Sequence, residues 1–554
     1  MFVREIQRPN GSVAIRIVDN VRRGKKIVQK TIRSLGQHKD EKDIEIMRHA
    51  AEELIVQIKA NADPILPIFD PKDFFSVIKA KKHEIPEDMQ VRLSSLKEQA
   101  RVNDGINDVF GGLYDQLSLD SLIKGTKKDA QWNDTLKVCV LARIAQPESK
   151  KKTVEMLEKD FDIKLDLDHV YRMMDHVADN VDAMKQTIAN TTHELLGEPV
   201  DVLLFDVTTL YFESVEADEL KEFGFSKDCK FNQTQVVLAL VTTREGLPIS
   251  YDLFPGNTYE GHTLTGMIES LKTKYTVSKV VLVADRAMFT KENLDLMDSL
   301  GVEYVVAAKL KILNGAMKNK ILGSALYRPA ELNRELHWVN SFKIEPDRKL
   351  IVSYSSARAR KDRADRQRLI DRVFKKVKNG KLKIADLVNN HGSKKFIKVL
   401  EDKAEIDTNK IEQDSAWDGM HGVITNIKDK TSLEILSRYR DLWRIEEAFR
   451  INKNDLKMRP IYHWRPKRIK AHIAICYIAF ALLSYTRFKL NKAGLKISLD
   501  TLRAELLHAQ SSLVLDKTTK TYFSIPSKIT ENQKLIYKAF GLKRPQTPSI
   551  LSAT

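Results

Sequence analysis

The amino-acid sequence predicts a multidomain α/β protein whose core mixes antiparallel and parallel strands. Three observations carry this. At 554 residues the chain has room for several domains of roughly 100–200 residues each. After Pro199 the pattern turns from helical to strand-like, and elements then follow in the order β-β-β-α-β-α-β. That alternation stops at Lys311 and resumes near Gly422. Residues 311–415 therefore read as an insertion that splits the core into 199–310 and 416–490.

The elements follow in chain order. Residues 12–18 and 26–32 alternate and are β-branched, which predicts a hairpin with Arg22, Arg23, Lys25 and Lys26 at its tip. That tip is either a solvated turn or a phosphate contact. A charged helix is expected over 41–60, completing an N-terminal unit of residues 1–60. Pro64, Pro67 and Pro71 mark residues 61–71 as a linker. Residues 73–198 read as mainly helical, and the basic excess of the chain makes them a candidate DNA-binding region. Within it Leu157, Phe161, Val170, Met173, Met174 and Val177 keep helical spacing behind Lys150, Lys151 and Lys152. A helix-turn-helix and a plain helical bundle both fit that spacing.

Strands are expected over 202–205, 235–242 and 248–254, with Arg244, Glu245 and Gly246 as the turn between the last two. These three form an antiparallel meander. A helix over 261–274, a strand over 279–284, a helix over 291–300 and a strand over 302–307 follow by crossover connections. The insertion carries strand-like pieces at 337–342 and 350–354 and a very basic helix over 357–378. Residues 422–427 return to the core as a strand, ahead of helices over 431–454 and 468–490. The region 491–554 is basic and mixed.

Composition narrows the partners. The chain has 92 Lys and Arg against 75 Asp and Glu, a formal charge of +17. Such an excess favours a polyanion, most simply nucleic acid, although an anionic membrane surface fits the charge alone. Cys139, Cys229 and Cys476 form no C-x-x-C pair, so neither a disulfide framework nor a structural zinc site is expected. The first residues lack the apolar stretch of a signal peptide. The longest apolar run, 473–483, is shorter than the roughly 20 residues of a membrane span and reads as a buried helix, so no membrane association is expected.

The candidate chemistry rests on carboxylates. Asp206 follows four apolar residues at the end of one predicted core strand, and Asp285 follows 280–284 in the same way. An acid at a strand end can simply cap a turn. Two at equivalent ends of neighbouring core strands repel, and a divalent cation relieves that repulsion. Hard oxygen donors suit Mg²⁺. A third acid comes from YRDLWRIEEAFRINK, residues 439–453. At about 100° per residue Tyr439, Glu446, Arg450 and Lys453 fall on one stripe of a helix, beside an apolar stripe of Leu442, Ile445, Phe449 and Leu456. Taken alone, Glu446 and Arg450 also read as an exposed i,i+4 pair.

These residues resemble the DDE transposases of the IS-four-like superfamily, and within it the group of insertion sequence sixteen thirty-four. The resemblance lies in LLFDVTTLYFES around Asp206, FPGNTYEGHTL at 254–264 and VADRAMFT around Asp285. It is strongest in the 439–453 segment followed by RPIYHWRPKRIKAHIAICYIAFALL at 459–483. It implies a ribonuclease H-like catalytic core split by a β-rich insertion, with Asp206, Asp285 and Glu446 as catalytic and metal-binding triad. Two Mg²⁺ ions, with Mn²⁺ able to substitute, would serve nicking at an element end and joining of the 3′ end to target DNA. Tyr439 and Lys453 match the family's Tyr-Arg-Glu-Lys signature and would hold DNA phosphate. The Arg position holds Leu442, a departure; Arg440, Arg444 or Arg450 could supply the contact, and helix geometry favours Arg450. A homodimer on paired ends and a bacterial cytoplasmic setting are implied by analogy. Competing readings are a nuclease of the same fold without strand joining, a catalytically retired DNA-binding protein, and a basic protein of RNA or membrane surfaces.

Overall fold

The computed structural model of the chain describes all but residues 52–80, 213–215, 225–232, 259–262, 264–265, 269–280, 285–289, 379–395, 401–402 and 553–554, together with isolated positions, most of them before residue 52. Two units are present: residues 1–97 with 515–524 and 549–554, and residues 98–514 with 525–548.

In the first unit the expected hairpin is the inner part of a three-stranded antiparallel sheet, β1 (Phe2–Gln7), β2 (Val13–Arg23) and β3 (Lys26–His38). Ile15 and Ile17 on β2 are fully buried beside Ala51. β1 is largely exposed, so little apolar alternation marks it in the sequence. The tip at 24–25 and the linker at 61–71 lie outside the described residues, and the helix at 41–60 is described only at scattered positions. The mainly helical region 73–198 also holds two short strands, β4 (Lys81–Glu84) and β5 (Leu96–Asn103). β4 is a charged strand that pairs with Ser549–Ser552, a partner from the far end of the chain that no local pattern announces.

The second unit is organised around a mixed sheet, nine-stranded among the described residues. Its strands are β6 (Val202–Tyr211), β7 (Gln235–Thr243), β8 (Pro248–Pro255), β9 (Val281–Ala284), β10 (Glu303–Ala307), β11 (Arg328–Leu332), β12 (Glu335–Glu345), β13 (Arg348–Ser355) and, after a separate hairpin of β14 (Ile397–Leu400) and β15 (Lys403–Ile406), β16 (Met420–Thr425). The spatial order is β11-β12-β13-β16-β10-β9-β6-β7-β8. β6, β7 and β8 form the expected antiparallel meander, and β9 runs parallel to both β6 and β10. The insertion's strands continue this sheet: β13 pairs with β16, which pairs with β10.

Helices cover both faces. α1 (Asp129–Ala145), α2 (Lys150–Phe161), α3 (Leu167–Asp179) and α4 (Val181–Leu196) precede the sheet. α5 (Lys291–Ser299) links β9 to β10, and α6 (Gly315–Gly323) and α7 (Ser356–Lys378) belong to the insertion, with α8 (Thr408–Ser415) at its end. Val170, Met173, Met174 and Val177, the apolar stripe of α3, are buried, and α3 packs on α1 and on a long helix near the end of the unit.

The expected helix at 431–454 breaks into α9 (Ser432–Arg440), a turn at Asp441 and Leu442, α10 (Trp443–Arg450) and a wide turn over Ile451–Asp455. At the break Asp441 accepts a 2.6 Å bond from Arg244 Nε in the β7–β8 turn. α11 (Pro466–Lys492) begins at a proline, which loses nothing at a first helical position. By length and composition it could cross a membrane, yet its most apolar window is 94% buried inside the fold. It contacts α1, α3, α4 and β8 and is the centre of the larger apolar cluster. Cys139 on α1 and Cys476 on α11 are free and buried, while Cys229 lies outside the described residues.

Candidate metal and phosphate site

β6 carries the first acid. The strand was expected to end at Phe205, but it runs on through Val207, Thr208 and Thr209 to Tyr211, so Asp206 sits mid-strand. The β-branched residues beyond it extend the pairing with β7 from Leu203↔Thr243 to Tyr211↔Gln235. Side chains alternate along a strand. Leu203, Phe205 and Val207 enter one apolar cluster; Val202, Leu204 and Leu210 enter the other, together with Ile445, Ala448 and Phe449 of α10. Asp206 therefore points to the face that α10 covers, and α10 packs directly on β6. It is half-buried, and its Oδ1 accepts the Val207 N–H at 2.7 Å.

Parallel β9 brings Ala284 beside Phe205, the residue just before Asp206. Asp285 follows Ala284 in sequence and lies outside the described residues.

α10 supplies the other acid. Its inward side is Ile445, Ala448 and Phe449, while Glu446 is exposed and, among the described residues, carries no ion pair. The neighbouring Glu447 is held differently, by Arg487 of α11 at 2.9 Å. Arg438 of α9 reaches Asp201 just before β6 at 3.6 Å. Together with the Arg244–Asp441 pair, this ties α9 and the break to the sheet.

Glu446 opens into a cavity of about 450 Å³. Tyr439, Leu442 and Trp443 line it from the broken helix, and so do Arg440, Arg358, Lys361, His337 and His421. The Tyr439 ring tilts against His421 at 4.8 Å between centroids. Arg440 donates to His337 Nε2 at 2.7 Å and to the Leu332 carbonyl at 3.2 Å. Burial and the Arg440 guanidinium push the His337 imidazole below its ordinary range, so it stays neutral and accepts that bond. The cavity thus joins two exposed carboxylates, Glu446 and Glu335, to three cationic side chains, with Glu335 lying 3.8 Å from Arg440; the cations suit a phosphate diester and Glu446 a metal ion.

The structure brings Tyr439 and Glu446 to one cavity even though the helix between them is broken. Lys453, half-buried in the wide turn, and Arg450 do not line it. Arg450 pairs with Asp455 at 3.3 Å and approaches Glu447 at 4.0 Å. Leu442, at the departing signature position, is 6% exposed and belongs to the core. Arg358 and Lys361 were not singled out from the sequence. The signal was the basic helix at 357–378, whose first turn the β13–β16 pairing carries to the cavity.

Among the described residues no group of three His, Cys, Asp or Glu side chains could hold an ion, the third acid of the set lying outside them. The two described donors are oxygen ligands on contacting elements, and Glu446 has no cation of its own to satisfy it; both properties fit Mg²⁺ or Mn²⁺.

Residues 199–482, just over half of the chain, match the family described as the transposase DDE domain. No curated protein matches. Among solved structures, the chain is similar to a piggyBac transposase synaptic complex with hairpin DNA, at 9% identity over 73% of this chain and 77% of that one, with a TM-score of 0.38. It is also similar to a Mos1 transposase paired-end complex with the left transposon end, at 13% identity over 33% and 60% of the two chains and a TM-score of 0.15. A Mos1 mariner paired-end complex with Mn shares 12% identity over 46% and 72%, at a TM-score of 0.14.

Proposed function

Since the chain belongs to the transposase DDE domain family, we propose that it binds the ends of an insertion sequence, cleaves DNA there and joins the 3′ ends to target DNA. The observation that carries this reading is the cavity at Glu446, lined by Arg358, Lys361, Arg440 and Tyr439 and built on a helix that packs against the strand of Asp206. Asp206, Asp285 and Glu446 would hold Mg²⁺ or Mn²⁺, which supplies Lewis acidity to the phosphate under attack and to its leaving oxygen.

The protein's own groups do the rest. Arg358, Lys361 and Arg440 hold phosphate oxygens, and Tyr439 orients the strand beside Glu446. Lys453 and Arg450, outside the cavity, contact phosphates further along the DNA. The core is read as ribonuclease H-like, covering 199–310 and 416–490, with 311–415 as the insertion, residues 1–198 as the region that recognises the ends and 73–198 as its helical DNA-binding part. We place the protein in the group of insertion sequence sixteen thirty-four, acting as a homodimer on paired ends in a bacterial cytoplasm. Its charge of +17 supports a DNA partner.

The test incubates the protein with DNA carrying its flanking element ends, with Mg²⁺ or with EDTA, beside Asp206→Ala, Asp285→Ala and Glu446→Ala. The reading expects metal-dependent nicking and strand joining, lost in all three variants while DNA binding persists. Cleavage without joining would make the protein a nuclease. Tight binding without chemistry in any metal would make it a retired transposase.

A further inference from the structure

Between the wide turn and α11 runs a segment that the site above does not use. From Leu456 to Leu499 there is no Asp or Glu. Within it Tyr462 is 60% exposed and Trp464 68%, although a Trp in a folded protein is usually well buried. Their neighbours alternate inward: Ile461 is 2% exposed, and the His463 ring meets Tyr171 edge-on at 6.1 Å and His472 at 5.5 Å. This alternation places Tyr462 and Trp464 on the same outward side.

The segment is anchored rather than loose. Ile461 bridges to Phe212, and its N–H reaches the Tyr211 carbonyl at 3.4 Å, at the end of the strand that carries Asp206. The Arg459 guanidinium lies over the Tyr211 ring at 5.4 Å. On the other side Arg468 covers Tyr171 at 4.6 Å, and Lys467 and Arg468 pair with Asp179 and Asp175 of α3. Arg465 and Lys470, close in sequence, are exposed.

We propose that Tyr462 and Trp464 form a stacking clamp for an unpaired base of the DNA strand that passes Asp206. The proposal rests on the reading of the chain as a DNA-processing transposase. Side chains two residues apart on extended chain are separated by about 6.6 Å. That is about twice the roughly 3.4 Å spacing of stacked bases, so one base fits between the two rings. Every base has a π-face, so the clamp is tolerant of sequence, and the surrounding cations hold the strand's phosphates. Five residues of strand separate Asp206 from Tyr211, about 17 Å, which puts the clamp a few nucleotides from the phosphate being cut. A paired base is closed to such a clamp; a frayed or displaced one is open to it.

The experiment measures binding of the full chain, without divalent metal, to an oligothymidylate of roughly twenty nucleotides and to a duplex of the same length. Trp464→Ala and Tyr462→Ala are each expected to weaken single-strand binding about ten-fold, with little change on the duplex. Trp464→Phe should restore most of the loss, and 2-aminopurine in the single strand should be quenched by wild type and not by Trp464→Ala. Both positions are exposed, so thermal melting should match wild type and exclude misfolding. Parallel losses on both DNAs, or no loss on either, would overturn the clamp. If strand joining is intact while single-strand binding is unmoved, the clamp falls alone. If wild type binds neither DNA, the DNA reading falls with it.

Discussion

Asp206 and Glu446 stand on contacting elements of opposite kinds. Asp206 lies on a strand with partners on both sides, between residues that are buried in two apolar clusters. Glu446 lies on an eight-residue helix between a turn and a wide turn, exposed, beside Trp443 at 51% exposure. The sheet fixes its acid by backbone pairing. The helix is held by its apolar side and by the Glu447–Arg487 pair, while Arg244 and Arg438 tie the turn and the helix before it. A site built this way separates stability from chemistry: the strand side carries the fold, and the helix side is free to be charged and open.

The comparison breaks first on activity. Glu446→Gln is expected to lower strand cleavage by at least ~10³-fold, yet to leave unfolding free energy within about 0.5 kcal/mol, because the side chain is exposed and without an ion pair among the described residues. Denaturant unfolding beside a cleavage assay checks it, and a large stability loss would mean that Glu446 is structural. Stability draws the next line. Phe205→Ala, at a fully buried position next to Asp206, should cost about 3–5 kcal/mol, whereas Trp443→Ala beside Glu446 should cost less than about 1 kcal/mol.

Acid sensitivity sharpens the contrast, because it belongs to the helical layer. His472 on α11 is buried, donates from Nε2 to the Met458 carbonyl at 3.0 Å, and is pushed well below the ordinary histidine value by burial and by Arg143. Burial likewise lowers His463, to about 3. The unfolded chain takes up protons below about pH 6.5 that the native state refuses, so stability is full above that pH and falls as pH drops below it. His472 should contribute about 1.4 kcal/mol of loss per pH unit, and His472→Gln should flatten the profile measured by denaturant unfolding. The smallest effect is at the pin itself: Arg244→Ala, removing a half-exposed ion pair, should cost less than about 1 kcal/mol while slowing cleavage several-fold by loosening α10.

The same contrast explains what the sequence makes legible. Four apolar residues before Asp206 announce a core strand, and the β-branched run after it accounts for the strand's extension, although the acid looks terminal from local pattern alone. The apolar stripe Ile445, Phe449 and Leu456 announces a docked helix, and all three are buried. The break at Asp441 is not legible from helical spacing, and the arginine that Asp441 pairs with there is 197 residues away in sequence. Nor are Arg358 and Lys361 as cavity residues, since their place depends on β13 joining β16 across the insertion. Arg450 illustrates the cost of reasoning from one helix: spacing sets it beside Glu446, but Asp455 and Glu447 draw it away from the cavity.

Asp206, Asp285 and Glu446 are proposed to converge on one divalent metal site. Iron-directed backbone cleavage checks this on the full chain: Fe²⁺ is bound in place of Mg²⁺, hydroxyl radicals are generated, and the cut positions are mapped. Cuts are expected beside residues 206, 285 and 446 together, competed away by Mg²⁺ and lost together in Asp206→Ala. Cuts confined to one of these segments, or a set at all three that survives Asp206→Ala, would contradict it.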